Sequence, residues 1–346
     1  MPDPSQPTPK TVEELDELLS RPNELAVRAM RELAGDLVIL GVGGKMGPTL
    51  ARLARRASDE AGVTRRIIGV SRFSSPDTRT KLQRWGIETI ACDLLDQEAI
   101  AKLPNAPNVV CMTGLKFGAS SNPALTWAMN CYLPALVSRR YRDSRIAAFS
   151  SGNVYGLVPI DSGGSIETDA PNPIGEYAIT VLGRERMFEY FSRQLGIPGT
   201  LLRLNYATEL RYGVLVDLAQ QVLAQQPIDL SMSSFNVIWQ AEANAMALAS
   251  LLHTATPPRI VNIAGAEILR VHEVCEAFGR LLDRPVRFTG AESPDALLNN
   301  ASASYAQIGR PQISSEQMIQ WTADWVMRGG ESLGKPTHFE SRDGRF

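Results

Sequence analysis

Seven residues constrain this chain more than any others: Gly41-Val42-Gly43-Gly44-Lys45-Met46-Gly47. They follow the apolar run Leu37-Val38-Ile39-Leu40 directly and open an amphipathic stretch that reaches about Ala61. A strand that passes into a helix through closely spaced glycines is a turn whose backbone must lie very near something else. The glycines at 41, 44 and 47 are spaced GxxGxxG, and those at 41, 43 and 47 read GxGxxxG. The first turn of a helix offers free N–H groups and the positive end of the helix dipole, a natural seat for a pyrophosphate. Gly41, Gly43, Gly44, Lys45, Met46 and Gly47 are therefore the expected nucleotide loop. An ordinary tight turn is the competing reading, and the position between first strand and helix argues against it.

The pattern downstream repeats strand and helix. Further strands are predicted at Arg66–Val70, Thr89–Cys92, Asn108–Met112, Arg145–Ser150 and Thr200–Leu204, and helices at Thr78–Trp85, Pro123–Arg139 and Tyr177–Leu195. Strands alternating with helices of this length make βαβ units, and right-handed crossovers then give a doubly wound parallel sheet, an α/β fold of the Rossmann kind. Beyond about Gly156 the alternation loosens. Helices near 214–224, 241–252, 272–282 and 314–327 and a strand at 260–262 are candidates for a smaller, interleaved C-terminal lobe. Ahead of the sheet, Thr11-Val12-Glu13-Glu14 reads as a capping box opening a helix, Pro22 interrupts it, and Gly35 stops a second helix. Residues 1–10 are Pro-rich and expected to be disordered, and the polar, Gly-rich tail from Gly329 is expected to be loosely held.

Charge and composition exclude several classes. Lys plus Arg number 35 against 37 Asp plus Glu, a net charge of −2, so the chain is not built to hold nucleic acid. The four cysteines, at 92, 111, 131 and 275, form no CxxC pair, and the three histidines form no HxxxH, so no metal site or disulfide framework is expected. MPDPSQPTPK lacks the basic and apolar regions of a signal peptide, and no run is apolar enough to cross a membrane, which makes a cytoplasmic protein the expectation.

The second strand ends Val70-Ser71-Arg72 with no Asp or Glu, where an acid usually holds the ribose 2′-hydroxyl of NAD. Arg72 can instead pair with a 2′-phosphate, with Ser71 adding a hydrogen bond, which favours NADP over NAD. A solvated loop arginine is the alternative.

Several later motifs resemble the extended short-chain dehydrogenase/reductase family, in its NAD(P)-dependent epimerase/dehydratase branch. Cys92-Asp93-Leu94 is similar to the Asp-Leu turn at the adenine, and Thr113-Gly114-Leu115-Lys116 to the loop after the fourth strand. Asn130 stands at the family's helix asparagine, and Phe149–Gly156 resembles the SSxxVYG strand end. Arg203-Leu204-Asn205 and Asn262-Ile263-Ala264-Gly265 are similar to two later segments. The resemblance spans about residues 36–328. It implies hydride transfer on a sugar or sugar nucleotide and an expected homodimer through the helices near 123–139 and 177–195. It also implies cofactor contacts at Asp93, Leu94, Thr113, Gly114, Lys116, Asn130 and Tyr177, and substrate contacts at Ser151, Asn153, Tyr155, Asn205 and Tyr206. The expected division is an extension (1–35), partly disordered and then helical, a Rossmann domain (36–205), a mostly substrate-binding lobe with late sheet elements (206–328) and a tail (329–346).

The resemblance assigns Tyr177 as the catalytic tyrosine and Ser151 as the serine that holds the substrate oxygen. The family's lysine, four residues after the tyrosine, is here Val181. A tyrosine titrates near 10, so about one in a thousand is phenolate at pH 7, and a neighbouring cation is what lowers that value. Lys116, Arg184 and the positive charge of an oxidised nicotinamide are the candidates to replace it; Arg184 lies seven residues on, about 10 Å along the helix. Where family dehydratases carry an Asp-Glu pair, this chain has Gly152-Asn153, neither of them an acid or base, which disfavours water loss. An NAD(P)-dependent epimerase or oxidoreductase is the leading reading. A nucleotide-binding regulator or scaffold with altered or lost catalysis is the alternative. Arg203 and Arg211 could meet an anionic group on the substrate, and Trp239 could stack on a sugar, although core packing is the favoured role for it.

Overall fold

The computed structural model describes residues 7–116 and 121–344. Residues 1–6, which carry part of the expected disordered leader, lie outside them. Seven strands form the central sheet: β1 (Leu37–Leu40), β2 (Ile67–Ser71), β3 (Glu88–Ala91), β4 (Asn108–Cys111), β5 (Arg145–Ser151), β6 (Gly199–Leu204) and β7 (Arg259–Ile263). Their order in space is β7-β6-β5-β4-β1-β2-β3, and every adjacent pair is parallel. The chain starts mid-sheet, runs out to β3, then returns beside β1 to build the other half. The direction of travel reverses between β1 and β4, so the loops after these two strands diverge and leave a crevice at the carboxyl ends.

Each strand serves both faces, as a pleat of period two requires. Leu37 and Ile39 join a core with α2 (Glu24–Glu32), α3 (Gly47–Glu60) and α10 (Gln240–Ser250). Val38 and Leu40 join the opposite core with α7 (Leu133–Arg140) and α8 (Gly175–Leu195). Two pieces set apart for the lobe thus belong to the sheet layer. α10 is buried almost all round, as its Ala-rich sequence allows, and lies between the sheet and the leader, while β7 is the sheet's edge strand. The helix expected over Pro123–Arg139 is present in three parts: α6 (Pro123–Trp127), a π-helical turn (Ala128–Tyr132) and α7. Pro134 has no N–H to return to the carbonyl four residues back, so the helix widens there, and Asn130 sits in the widened turn.

The lobe is built from α9 (Val214–Leu223), α11 (Val271–Leu282) and α13 (Ser315–Met327), with Trp239 packed on Trp321 at 5.3 Å between ring centres. Trp239 is therefore a core residue. The leader ties the two parts together. Thr11 caps α1 (Val12–Leu19) as its sequence predicts; Leu15, Leu18 and Leu19 enter the lobe core, while Ala26, Ala29 and Met30 of α2 enter the sheet core. Expected loose, the tail is packed instead: Thr337 and Phe339 are buried, and Phe339 meets Phe235 edge-on at 5.8 Å. Among the described residues no helix is long and apolar enough to cross a membrane.

One buried carboxyl gives the fold a pH dependence. Glu242 in α10 accepts the N–H groups of Gln312 and Ile313 through one oxygen, the other has no partner among the described residues, and burial pushes its pKa up to about 7. A raised folded value means stability that is full below the unfolded value near 4.5 and is lost as pH rises through about 7. Glu242→Gln is therefore expected to raise the melting temperature at pH 8 and leave it unchanged at pH 4, measured by thermal denaturation. Equal effects at both values would refute the assignment.

Candidate functional site

The glycine loop lies against three strand ends at once. Gly41 adopts φ +85°, and a methyl in place of its hydrogen would stand 2.9 Å from the Thr113 side chain. A methyl at Gly43 would stand 2.6 Å from Ser71 Oγ, and one at Gly47 would collide with the Val42 carbonyl. Gly41 and Val42 donate to the Val70 carbonyl at 2.8 and 3.2 Å, and Gly44 returns to Gly41 at 3.0 Å. Helix α3 then begins with no side chain capping its N–H groups. The loop thus presents backbone donors and the positive end of a 14-residue helix to the crevice, which fits a nucleotide pyrophosphate. Met46 is buried; Lys45 instead crosses the crevice, its ammonium 2.8 Å from the centre of the Tyr212 ring. Burial, then repulsion from Lys116, holds Lys45 well below the ordinary lysine value.

Ser71 faces this loop, and Arg72 is exposed at the end of β2. Asp93 is exposed as well, accepting the Leu95 N–H at 3.0 Å, while Leu94 is buried.

The loop after β4 is fastened by Asn130. Its carboxamide accepts the Leu115 N–H at 3.1 Å and donates to the Leu115 carbonyl at 3.2 Å and to Thr180 Oγ1 at 2.9 Å. Arg184 reaches the same Asn130 oxygen and donates to the Phe149 carbonyl at 2.8 Å, with its guanidinium beneath Gly114. Only a glycine leaves room for it there. Thr113 is buried, touching Cys111 Sγ at 3.2 Å.

Beside this loop, Ser151 ends β5 and Tyr177 stands in the first turn of α8. The two side chains share a hydrogen bond, and Ser151 also donates to Asn153 Oδ1 at 2.8 Å. Burial pushes the Tyr177 phenol up, with Arg184 and Ser151 pulling the other way. Val181 is fully buried, packed with Val154 and Tyr155. The Lys116 ammonium lies 6.0 Å from the Tyr177 ring centre and 3.5 Å from the Thr337 carbonyl. Its pKa is lowered to about 8 by burial, against the pull of Asp217 and Glu340.

Other residues expected at the substrate are placed differently. Tyr155 is buried, and its hydroxyl donates to Asn262 Oδ1 at 2.8 Å. Asn205 is buried, donating to Asn236 Oδ1 at 2.7 Å, in a network that joins the lobe to the sheet. Both side chains are taken up by the interior. Tyr206, at φ +37°, stays at the crevice, where burial and then its neighbours Glu340 and Tyr212 raise its pKa. Arg203 is neutralised by a buried two-pronged pair with Glu185 at 2.7 and 2.9 Å, and Arg211 by Glu209 at 3.1 Å and Asp16 at 3.4 Å. Neither arginine is available to an anionic ligand. Tyr212, Asp217 and Thr337 join the site from sequence with no motif to mark them. Asn299 does too: its buried amide has no partner among the described residues and stands against Gly152. Among the described residues no group of three His, Cys, Asp or Glu could hold a metal.

The model of the NAD dependent epimerase/dehydratase family matches residues 37–208. No curated protein matches the chain. Solved structures share the fold at low identity. A UDP-glucuronic acid 4-epimerase from Bacillus cereus, in complex with UDP-glucuronic acid and NAD, is 15% identical with a TM-score of 0.68, over 84% of this chain and 98% of that one. A Thermus thermophilus UDP-glucose 4-epimerase with NAD is 20% identical with a TM-score of 0.66, over 85% and 99%. A dTDP-glucose 4,6-dehydratase from Bacillus anthracis with NAD is 14% identical with a TM-score of 0.71, over 85% and 96%.

Gly47→Ala forces the turn off the Val42 carbonyl and tilts the helix end. It is expected to weaken nicotinamide dinucleotide binding at least tenfold in calorimetry while the circular dichroism spectrum is kept. Unchanged affinity would remove the loop from the binding site.

Proposed function

Because the chain belongs to the NAD dependent epimerase/dehydratase family of extended short-chain dehydrogenases/reductases, we propose that it transfers hydride to and from a sugar or sugar nucleotide as an epimerase or oxidoreductase. The observation that carries this reading is the hydrogen bond between Ser151 and Tyr177 at the crevice, with the Lys116 ammonium 6.0 Å from the tyrosine ring. A nicotinamide cofactor, when bound, supplies or accepts the hydride. The chain's own groups do the rest. Ser151 holds the sugar oxygen, Tyr177 moves the proton at that oxygen, and Lys116 lends the positive charge that the buried Val181 does not. Gly152 and Asn153 offer no acid or base, so water elimination is not part of this reading. The sheet domain would take the dinucleotide on the glycine loop, with Asp93 and Asn130 at its margins, and the lobe would take the sugar. NADP is the proposed form, supported by Arg72 and the lack of a carboxylate at the end of β2. The exposed Leu125, Trp127, Ile179 and Tyr190 on neighbouring helices support a homodimer packed there.

The second reading, a nucleotide-binding protein with lost catalysis, is favoured by Val181 itself, packed apolar where a lysine would act, and by a phenol pushed upward.

Tyr177→Phe is expected to lower turnover of the reactive sugar nucleotide at least a thousandfold and leave dinucleotide affinity within threefold. Retained turnover moves the chemistry elsewhere, and no turnover by the unmodified chain with any sugar nucleotide supports the second reading. Mass analysis of nucleotide released on denaturation, or bound afterwards, is expected to find NADP(H); tightly held NAD(H) would overturn the Arg72 assignment. The Lys116 charge is lost above about pH 8, so turnover should fall there, and Lys116→Arg should shift the fall upward.

A further inference from the structure

The C-terminal segment crosses the crevice from one part of the protein to the other. On the lobe side, Leu333 donates to the Arg211 carbonyl at 3.0 Å. Asp217 of α9 accepts both the N–H and the hydroxyl of Thr337, at 2.8 and 2.6 Å. Phe339 is inserted against Phe235 in the lobe core. Arg342 donates to the Ser231 carbonyl at 3.0 Å and to Asp295 Oδ1 at 2.5 Å. On the sheet side, the Thr337 carbonyl meets Lys116, and Gly344 is wedged against Gly175, two residues before Tyr177. A methyl on Gly175 would stand 2.5 Å from the Gly344 carbonyl. The segment is thus held at several points, by part-buried polar bonds and a buried aromatic anchor.

We infer that residues 335–344 form a wall of the active site whose work is to hold Lys116 beside Tyr177, with Thr337 as the positioning residue. The inference rests on the reading that Lys116 serves Tyr177. The geometry has a simple logic. Lys116 stands in a loop, and a loop ammonium on four methylenes loses considerable rotamer freedom when fixed. Asp217 fixes Thr337 twice, and the Thr337 carbonyl then meets the ammonium. The charged groups around Lys116 are Asp217 from α9, Glu340 from the tail itself and Lys45 from the glycine loop, with the Tyr177 phenol beside it.

The test uses the full chain. Lysines are reductively methylated with ¹³C, and the Lys116 signal is identified through Lys116→Arg and titrated by NMR. Thr337→Val removes the hydroxyl bond to Asp217 and keeps the shape. It is expected to raise the Lys116 midpoint by half a unit or more, as water reaches the ammonium, and to lower turnover at least tenfold with dinucleotide affinity within threefold. Thr337→Ser should restore both. Should Thr337→Val fail to fold, Arg342→Ala, which frees the end of the segment, is expected to move both readouts the same way. An unmoved midpoint would make the segment mere surface packing and overturn the inference. So would faster turnover or tighter binding of UDP-glucose, since the segment would then be a plug. If the unmodified chain turns over no sugar nucleotide, the functional reading fails, and the titration alone decides whether the wall exists.

Discussion

The close approach of one turn to three strand ends governs the rest of the site. The β1–α3 turn must pass under the ends of β2 and β4 without side chains, and Gly41 against Thr113 and Gly43 against Ser71 mark how little space remains. A turn this tight fixes where α3 begins, and hence where its uncapped N–H groups point. It also fixes where the loop after β4 must leave, because Thr113 lies on Gly41. Asn130 then fastens that loop by both backbone groups of Leu115, and Arg184 fills the room under Gly114. Lys116 is delivered to Tyr177 by this chain of contacts, each of which presupposes the one before.

Much of the fold was legible because local pattern and global packing agree. Each sheet strand is a short apolar run between turn residues, and the glycine loop names its own neighbours. The widened turn around Asn130 was less visible, since Pro134 signals a disturbance without saying whether the helix kinks, ends or bulges. Chain order alone does not separate α10 and β7 from the lobe helices around them. An Ala-rich helix buried all round carries no amphipathic stripe to show which layer it joins.

The site was legible where it rests on backbone and illegible where it rests on distant side chains. Ser151 and Tyr177 come together as their motifs imply. Tyr155 and Asn205 carry the right motifs and yet turn inward, since Asn262 and Asn236 offer them buried partners that cannot be seen along the chain. Arg203 and Arg211 were candidates for an anionic ligand only while Glu185, Glu209 and Asp16 stood elsewhere in the sequence. A buried arginine without its carboxylate would be costly, so the pairing was the better expectation for Arg203 in mid-strand. The tail misled for a related reason. Polar, Gly-rich composition argues for looseness only when no anchor interrupts it, and Phe339, Arg342 and Thr337 are three anchors in six residues.

On the proposed reading, a valine at the family's lysine position changes the site less than a one-residue comparison suggests. Val181 is enclosed by Val154 and Tyr155, and an ammonium placed there would need an opening to the crevice or would have to be buried unpaired. The same helix carries Arg184 one turn further, but its guanidinium is committed to Asn130 and the Phe149 carbonyl, where it braces the loop. Arg184 still draws the phenol down from there, and a second cation, on the loop that Arg184 braces, faces the ring from across the crevice: Lys116. Its distance of 6.0 Å from the ring makes it an electrostatic neighbour of Tyr177, and at that range its effect depends on how dry the space between them is. On the proposed reading the cation stands on a loop instead of the helix, such a loop must be enclosed, and the segment from Lys335 to Gly344 lies against it at Thr337.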